Sequence, residues 1–199
     1  MNYYCVACKV SKEAKVKTDI EQNFSRILRS DFYFHVLFPS KQYKVKKGKV
    51  FIEVCKPITP GYLFIKSEKQ LEEYSIDFKR ITNCYGLVES QKTNNSKEKS
   101  IFYKLYREDL AYASWVFSHN GLITPSKITL EVGTCVNVIS GPLATFNGQI
   151  IKVDKRNNKV CIFSENSGTL QKVWVPVEIV RKEDLDSNSE ILKAFSKVY

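Results

Sequence analysis

The stretch from Glu131 to Lys182 constrains the fold more than any other part of this sequence. Short runs rich in valine and isoleucine alternate there with segments that carry glycine, proline and asparagine. Such runs, bounded by turn-forming residues, are typical of short strands joined by tight turns. A succession of short strands favours a small, strongly curved barrel. The sequence therefore predicts a small β-barrel over residues 131–182.

The residues before this stretch show both helical and strand periodicities. Apolar residues recur at helical spacing in three segments, and these predict helices over residues 12–29, 71–81 and 105–117. Ser11 is the expected N-cap of the first helix, and His119–Gly121 the expected stop of the third. Strands are predicted over residues 3–9, 32–38, 50–55, 62–66 and 85–89, with a basic hairpin over 41–49 that turns near Gly48.

This order of elements predicts an α+β fold, with an N-terminal antiparallel sheet flanked by helices and then a small β-barrel. The predicted domains are residues 1–120, a linker over 121–130, the barrel over 131–182 and a C-terminal tail over 183–199. Residues 90–100 are the most polar stretch of the chain, and we expect a mobile loop there.

Composition restricts the compartment and the class of partner. The formal net charge is +10, from 31 basic and 21 acidic side chains, which favours a polyanionic partner. No window contains the roughly 18 uncharged apolar residues that a membrane span needs, and no signal peptide is visible. Six cysteines in such a chain indicate free thiols in a reducing compartment. We therefore expect a cytoplasmic location and no membrane partner.

The sequence offers no pattern for catalysis or for a metal or cofactor. Cys5 and Cys8 form a C-x-x-C, but in a strand a three-residue offset directs the two thiols to opposite faces, which prevents chelation. His35 and His119 lack the spacing to a nucleophile and an acid that a catalytic site needs. There is no phosphate-binding or dinucleotide-binding fingerprint. We therefore predict neither an enzyme nor a cofactor.

Several motifs in the right order resemble the NusG family of transcription elongation factors. They are the Tyr3-Tyr4 start, the first helix, the segment Pro60-Gly61-Tyr62-Leu63-Phe64, and the valine- and glycine-rich opening of the barrel with Gly141-Pro142. Any one of these motifs is weak, but their combination over nearly the whole chain is specific. The resemblance implies an NGN domain followed by an SH3-like KOW barrel.

The resemblance further implies that the first domain binds the clamp helices of the RNA polymerase β′ subunit and suppresses pausing and termination. The positions that match the family's docking surface are Tyr3, Pro60, Tyr62 and Phe64. Tyr62 and Phe64 share one strand face through the two-residue period. The alternative is that both residues belong to the sheet core.

Two departures from the family pattern favour a specialised paralogue of the LoaP or RfaH kind. Thr59 stands where housekeeping members usually have an aromatic residue before the PGY motif. Ser167 stands where their KOW domain has the aromatic residue that contacts Rho or a ribosomal protein. The Ser167 departure argues against ribosome or Rho contact. LoaP-like members are recruited partly through an RNA hairpin, so nascent RNA is the expected partner of the barrel.

Two basic clusters are candidate nucleic-acid contacts. In the barrel they are Lys152, Lys155, Arg156, Lys159 and Lys172, of which the first four flank a tight turn at Asn157-Asn158. In the hairpin they are Lys44, Lys46 and Lys47, with Lys41 and Lys49 nearby, and these are expected to reach upstream or non-template DNA. Each lysine has the alternative of a solvated surface charge.

Two other functions stay open at this point. One is a housekeeping NusG that couples transcription to the ribosome or to Rho, which Ser167 argues against. The other is a ribosome-associated RNA-binding protein whose first domain does not bind polymerase. A helical rearrangement of the barrel is not expected, because its β-branched runs and turn residues favour strands.

Overall fold

The computed structural model describes residues 1–28, 32–89, 103–130, 136–163 and 173–181. The predicted α+β fold is confirmed. The helices are α1 (Glu13–Ile27), α2 (Ser75–Arg80) and α3 (Arg107–Ser118). The strands of the first part are β1 (Asn2–Cys8), β2 (Phe34–Leu37), β3 (Ser40–Lys47), β4 (Val50–Pro57), β5 (Tyr62–Ser67) and β6 (Cys84–Leu87). The remaining strands are β7 (Leu122–Ile123), β8 (Ser126–Leu130), β9 (Val136–Ser140), β10 (Gln149–Asp154), β11 (Lys159–Phe163) and β12 (Val173–Ile179).

A four-stranded antiparallel sheet forms the centre of the first part, in the order β2-β5-β1-β6. Side chains alternate between its two faces. One face carries Tyr4 and Val6 of β1, which are completely buried in the core that α1 also enters. Helix α1 contributes Val16, Ile20 and Phe24, at helical spacing, to the same core. Burying each such large apolar side chain contributes about 1.5–3 kcal/mol to folding.

The predicted first helix is present, but its predicted N-cap is wrong. Helix α1 begins at Glu13, and Lys12 occupies the N-cap position without a side-chain hydrogen bond. Ser11 has a φ of 67°, outside the extended region that an N-cap serine normally adopts. The carboxylate of Glu13, at the start of α1, points into the protein. Its Oε1 accepts a buried hydrogen bond from the backbone N–H of Gly61.

The basic hairpin is present where the sequence predicts it. Strands β3 and β4 pair in register from Ser40↔Pro57 to Lys47↔Val50, and the chain turns at Gly48 with a φ of 65°. The two-residue connection needs a left-handed residue, which glycine supplies without a steric cost. Strand β7 extends this sheet on the other side of β3, but it pairs only with Ser40 and Lys41.

Two segments differ from their predicted structure. The helix predicted over residues 71–81 is a 3₁₀ turn at Glu72–Tyr74 followed by the short helix α2. The segment predicted as a linker, residues 121–130, contains β7 and β8. Strand β8 pairs in parallel with β12 and antiparallel with β9, so these residues belong to the sheet of the second part. The other domain limits stay a prediction.

The second part is a curled five-stranded sheet in the order β10-β11-β12-β8-β9, as expected for a small barrel. Its core side chains are apolar and alternate along the strands; they include Val160, Ile162, Val173, Val175 and Val177. The expected loop at 90–100, the tail at 183–199 and the residues Ser167 and Lys172 lie outside the described residues.

Candidate functional site

The second face of the four-stranded sheet carries most of the predicted docking residues. The register pairs Tyr3 with Lys66, Cys5 with Phe64 and Ala7 with Tyr62, so all these residues share one face. The predicted common face of Tyr62 and Phe64 is therefore present. Helix α3 packs against this face, and it separates part of it from solvent.

Phe64 does not lie at the surface. Its side chain is completely buried, and its ring centroid lies 5.7 Å from that of Tyr112 on α3. In this arrangement the Phe64 ring cannot reach a partner, because α3 covers the middle of the strand. Tyr3 and Tyr62 are half-buried, and Pro60 is exposed. The accessible part of the predicted surface is therefore formed by Pro60, Tyr62 and Tyr3.

The turn that precedes Tyr62 is held in a single conformation. Gly61 has a φ of 82°, and its N–H donates a buried hydrogen bond of 2.8 Å to Glu13 Oε1. A Cβ atom at Gly61 would lie 3.1 Å from the Cys8 carbonyl oxygen. Glycine is therefore required both by the backbone conformation and by the close approach of β1. This anchoring sets the position of Pro60 and Tyr62 relative to the sheet.

An aromatic cluster that the sequence reasoning missed continues this face. Lys66 Nζ lies 5.6 Å from the ring centroids of both Tyr3 and Tyr33, within cation–π range. The His35 ring makes an edge contact with Phe117 at 5.7 Å, and Phe117 makes another with Tyr3 at 5.5 Å. The aromatic-rich segment 32–38, in which alternate residues share a strand face, was the one signal in the sequence for this cluster. The partners of its rings lie on α3 and β5, in distant parts of the chain, so the sequence could not identify them.

His35 belongs to this cluster, and its surroundings favour the neutral imidazole. Burial is the main cause that lowers its pKa, and the positive charge of Lys17 lowers it further. Its Nδ1 lies 3.3 Å from the Tyr33 hydroxyl oxygen. The cluster is therefore mainly aromatic, with the Lys66 ammonium group beside its rings.

Helix α3 joins the sheet to the barrel. The Nε1–H of Trp115 donates a buried hydrogen bond of 2.8 Å to the Pro142 carbonyl oxygen. The Trp115 ring also makes an edge contact with Phe146, at a centroid distance of 5.0 Å. His119 Nε2 lies 3.1 Å from Thr145 Oγ1 nearby. The two parts of the chain therefore share one continuous apolar core.

A second contact joins the basic hairpin to the barrel. The half-buried Lys41 Nζ donates a hydrogen bond of 2.9 Å to the Trp174 carbonyl oxygen on β12. Burial lowers the pKa of Lys41, and the charges of Lys159 and Lys56 lower it further. A cleft of about 980 Å³ opens beside this contact, between β3 and the barrel.

The cleft brings together some of the predicted nucleic-acid contacts but not all of them. Lys44 and Lys46 of the hairpin and Arg156 and Lys159 of the barrel line it. The other described members of the two clusters lie exposed outside its lining: Lys47, Lys152 and Lys155.

The barrel turn that presents Arg156 is stabilised by Asp154. The backbone N–H and the side-chain amide of Asn157 donate to its two carboxylate oxygens at 3.1 and 2.9 Å. The side-chain hydrogen bond from Asn157 is the main cause that lowers the pKa of Asp154, and Lys159 contributes through an ion pair of 3.3 Å. Lys159 Nζ also lies 4.8 Å from the Trp174 ring centroid. The predicted tight turn at Asn157-Asn158 is present.

The two thiols of the C-x-x-C motif do not lie together. Cys5 and Cys8 enter different cores on opposite sides of the sheet, as the strand offset predicts. Across the described ranges, no group of three or more His, Cys, Asp or Glu side chains is arranged to hold a metal ion. In the same ranges, no helix has the length and apolar character required to cross a membrane.

The chain is similar to known transcription factors. A family model described as "Transcription termination factor nusG" matches residues 1–105. The transcription termination/antitermination protein NusG of Rickettsia typhi is 24% identical over 183 residues, which cover 92% of this chain and 90% of the relative. The transcription elongation factor Spt5 of Methanocaldococcus jannaschii is 29% identical over 124 residues, covering 61% of this chain and 84% of the relative. A solved structure of Thermotoga maritima NusG, described for its domain interaction, has 18% identity and a TM-score of 0.48, and it covers 88% of this chain and 93% of that one.

Proposed function

The chain belongs to the NusG family, and from this premise we propose that it is a transcription elongation and antitermination factor that binds RNA polymerase through its first domain. The proposed contact is with the clamp helices of the β′ subunit. Binding there suppresses pausing and termination. The proposal assigns no catalytic step to the chain.

The observation that carries the proposal is the aromatic face around Tyr62. A helix tip is bound by a shallow apolar surface with polar groups at its edge. Half-buried rings of Tyr3 and Tyr62 supply such a surface, and Lys66 supplies a charge beside them. The hydrogen bond from Gly61 to Glu13 keeps the surface preformed, which lowers the entropy lost on binding.

The barrel is proposed to bring the factor to its target through an RNA element. Its exposed basic turn, held by Asp154, presents Lys155 and Arg156 to solvent. A guanidinium group can grip phosphate with two hydrogen bonds or stack on a base, so Arg156 is the main candidate contact. With Thr59 and Ser167 in place of the usual aromatic residues, the proposed type is a specialised paralogue of the LoaP or RfaH kind rather than a housekeeping factor.

Single-round transcription tests the proposal. The purified chain is added to polymerase on a template with an intrinsic terminator, with and without the native leader RNA. Readthrough that requires the leader is expected. Equal readthrough on every template would instead favour the housekeeping alternative. Absence of readthrough, together with absence of co-migration with polymerase, would remove the elongation-factor assignment and favour the ribosome-associated alternative.

The docking surface is tested separately with Tyr62→Ala. We expect the variant to bind polymerase about ten-fold more weakly or worse, as for a central aromatic contact. The matched control is Tyr85→Ala, since Tyr85 is 64% exposed on β6 and is not part of the aromatic face. Far-UV circular dichroism shows whether both variants fold. Normal binding by a folded Tyr62→Ala variant would show that the surface is misassigned.

A further inference from the structure

The two basic elements predicted as separate nucleic-acid contacts face each other across one cleft. Strand β3 contributes Lys44 and Lys46 from one side, and the β10–β11 turn contributes Arg156 and Lys159 from the other. The cleft volume of about 980 Å³ is at the upper end of the range for sites that enclose a ligand. One ligand can therefore contact both elements at the same time.

Positive charge dominates the lining of the cleft. Five cations and two carboxylates line it: Lys41, Lys44, Lys46, Arg156 and Lys159 against Glu53 and Glu178. Glu53 Oε2 accepts a hydrogen bond of 2.6 Å from the neutral amide of Gln42, which leaves its negative charge in place, so five cations and two carboxylates give the lining a net charge of +3. The remaining field attracts an anion.

The cations of the cleft are compensated only in part: Lys159 forms an ion pair of 3.3 Å with Asp154, and Glu53 lies opposite Lys44 in the β3–β4 register. Within the residues that the structure describes, Lys44, Lys46 and Arg156 have no carboxylate within 4.0 Å. Lys41 and Lys159 are close enough to repel each other electrostatically. An anion between the two walls offsets this repulsion, and a polyanion offsets it along the whole cleft.

The cleft also offers what a base needs. Tyr43 is half-buried in the lining and lies on the same face of β3 as Lys41, opposite to Lys44 and Lys46. A ligand that contacts Tyr43 and these two lysines therefore crosses the outer edge of β3. Pro125 and Pro176 provide apolar wall. Beyond Lys41, the outer edge of β3 is not covered by β7, whose pairing with β3 ends at Lys41↔Ile123. A free strand edge presents backbone donors and acceptors to whatever occupies the cleft.

We propose that this cleft binds one single-stranded nucleic acid, whose phosphates are bridged between Lys44 and Lys46 on β3 and Arg156 on the barrel turn, with a base stacked on Tyr43. The proposal rests on the nucleic-acid role in the proposed function and joins its two contacts into one site. A charged groove combined with an aromatic platform is the usual design of single-strand sites. Duplex DNA is bound instead over a protein surface of about 1,000–2,500 Å².

The site exists only while the barrel is docked on the first part of the chain. One wall belongs to the hairpin and the other to the barrel, and Lys41–Trp174 and Trp115–Pro142 hold them together. A ligand that contacts both walls binds the docked arrangement in preference to an undocked one. Binding therefore stabilises docking by mass action.

Fluorescence anisotropy on the full chain tests the proposal without polymerase. The probes are labelled RNA and DNA single strands of about eight nucleotides, within the usual site size, and the same sequence as a duplex. Salt is varied from about 50 to 200 mM. The variants are Lys44→Gln with Lys46→Gln, Arg156→Gln, all three together, and Tyr43→Leu. The matched control, Lys12→Gln with Lys15→Gln, removes two exposed charges from α1.

One strand per chain is the expected stoichiometry, with weaker binding of the duplex. The salt slope is expected to fall by about 0.7 for each lost phosphate contact, for changes on either wall. Tyr43→Leu weakens binding about ten-fold and leaves the salt slope unchanged. The α1 control keeps wild-type affinity. A preference between the RNA and DNA strands identifies which polymer the cleft takes.

Several results would overturn the proposal. Binding of two nucleic-acid strands per chain would mean two separate sites, if the β3 variant abolishes binding of only one strand and the Arg156 variant binding of only the other. Tighter duplex binding, or an α1 control as weak as the β3 variant, would mean a diffuse surface field. This assay contains no polymerase, so a failure of single-strand binding would overturn the cleft proposal without affecting the Tyr62→Ala test of polymerase binding. Conversely, a failure of polymerase binding would overturn the proposed function, while the anisotropy data would still decide whether the cleft binds a single strand.

Discussion

The indole Nε1–H of Trp115 donates a buried hydrogen bond to the Pro142 carbonyl oxygen, 2.8 Å away. Trp115 lies on α3 of the first part, and Pro142 begins a 3₁₀ turn of the barrel. This bond crosses the boundary between the two parts of the chain, beside their shared apolar core. The arrangement of the barrel relative to the aromatic face and the basic hairpin therefore depends on contacts of this kind.

Trp115→Phe tests this contact. The smaller ring keeps much of the packing against Phe146 but removes the indole donor, so the Pro142 carbonyl keeps only its hydrogen bond from Thr145 Oγ1. The loss of one net hydrogen bond is expected to lower the free energy of unfolding by about 0.5–1.5 kcal/mol. Urea denaturation measures the loss. Tyr85→Phe, at an exposed ring, is the control and is expected to change stability by less than about 0.5 kcal/mol. Equal stability of Trp115→Phe and wild type would mean that the parts separate in solution.

Two glycines provide a matched pair of substitutions. Both Gly61 and Gly48 have positive φ, but a Cβ at Gly48 meets no atom within 4 Å, whereas at Gly61 it meets the Cys8 carbonyl oxygen at 3.1 Å. We expect Gly48→Ala to cost about 1–2 kcal/mol from its conformation alone, and Gly61→Ala to cost more. Thermal unfolding of both variants gives the difference. A Gly61 variant as stable as its partner would contradict the tight approach of β1.

Glu13 is predicted to hold the turn before Tyr62. Glu13→Ala leaves the buried Gly61 N–H without its acceptor and is expected to cost about 1–3 kcal/mol. Glu13→Gln keeps an acceptor oxygen and is expected to lose less. Polymerase binding is measured for both Glu13 variants. Glu13→Ala should weaken it more than Glu13→Gln, because the turn positions Pro60 and Tyr62. An identical loss for both variants would assign the effect to the charge rather than to the hydrogen bond.

The cysteines are predicted to differ in reactivity. Cys55 is exposed on β4, whereas Cys5, Cys8 and Cys84 are buried. Burial raises the pKa of the Cys5, Cys8 and Cys84 thiols, that of Cys8 to about 11, with the carboxylate of Glu13 as a further cause. Cys161 is buried as well. Since the thiolate is the reactive form, iodoacetamide at pH 8 should modify Cys55 before Cys5, Cys8 and Cys84, as peptide mass mapping would show. Early modification of Cys8 would contradict the packing of the sheet.

The raised pKa of Cys8 makes the stability of the fold depend on pH in the alkaline range. The folded-state pKa of Cys8, about 11, lies above its ordinary value of 9.0. Its contribution to stability is therefore complete below pH 9 and is lost as the pH rises from 9 through 11. Burial raises the pKa of Tyr4 and Tyr112 in the same direction. Unfolding midpoints measured between pH 8 and pH 10.5 should fall, and Cys8→Ala should make the fall shallower.

Much of the local structure could be predicted from the sequence. The helical spacing of Val16, Ile20 and Phe24 predicted α1, and the turn at Gly48 predicted the β3–β4 hairpin. These predictions succeed because a repeating apolar pattern and a left-handed turn residue act within a few residues. Ser11 is not the N-cap, since its φ of 67° lies outside the extended region and Lys12 occupies that position. Glu13 accepts a hydrogen bond from the distant Gly61, which no local pattern predicts.

The candidate sites could be predicted only in part. The common face of Tyr62 and Phe64 follows from the strand period, but the burial of Phe64 depends on α3, about 50 residues later. The segment 121–130 was predicted as a linker, but it contains β8, whose partner β12 lies far along the chain. No local pattern encodes such pairing, because its free energy comes from contacts between distant segments.

By itself, the sequence determined the α+β class, the family motifs, the two basic clusters and the opposite faces of Cys5 and Cys8. Each of these follows from residue type and spacing. Only the tertiary structure decided that α3 covers Phe64 and that Lys44 and Arg156 line one cleft. The reason is physical: a basic residue carries the same charge in any fold, whereas a cleft exists only where packing between distant segments brings its two walls together.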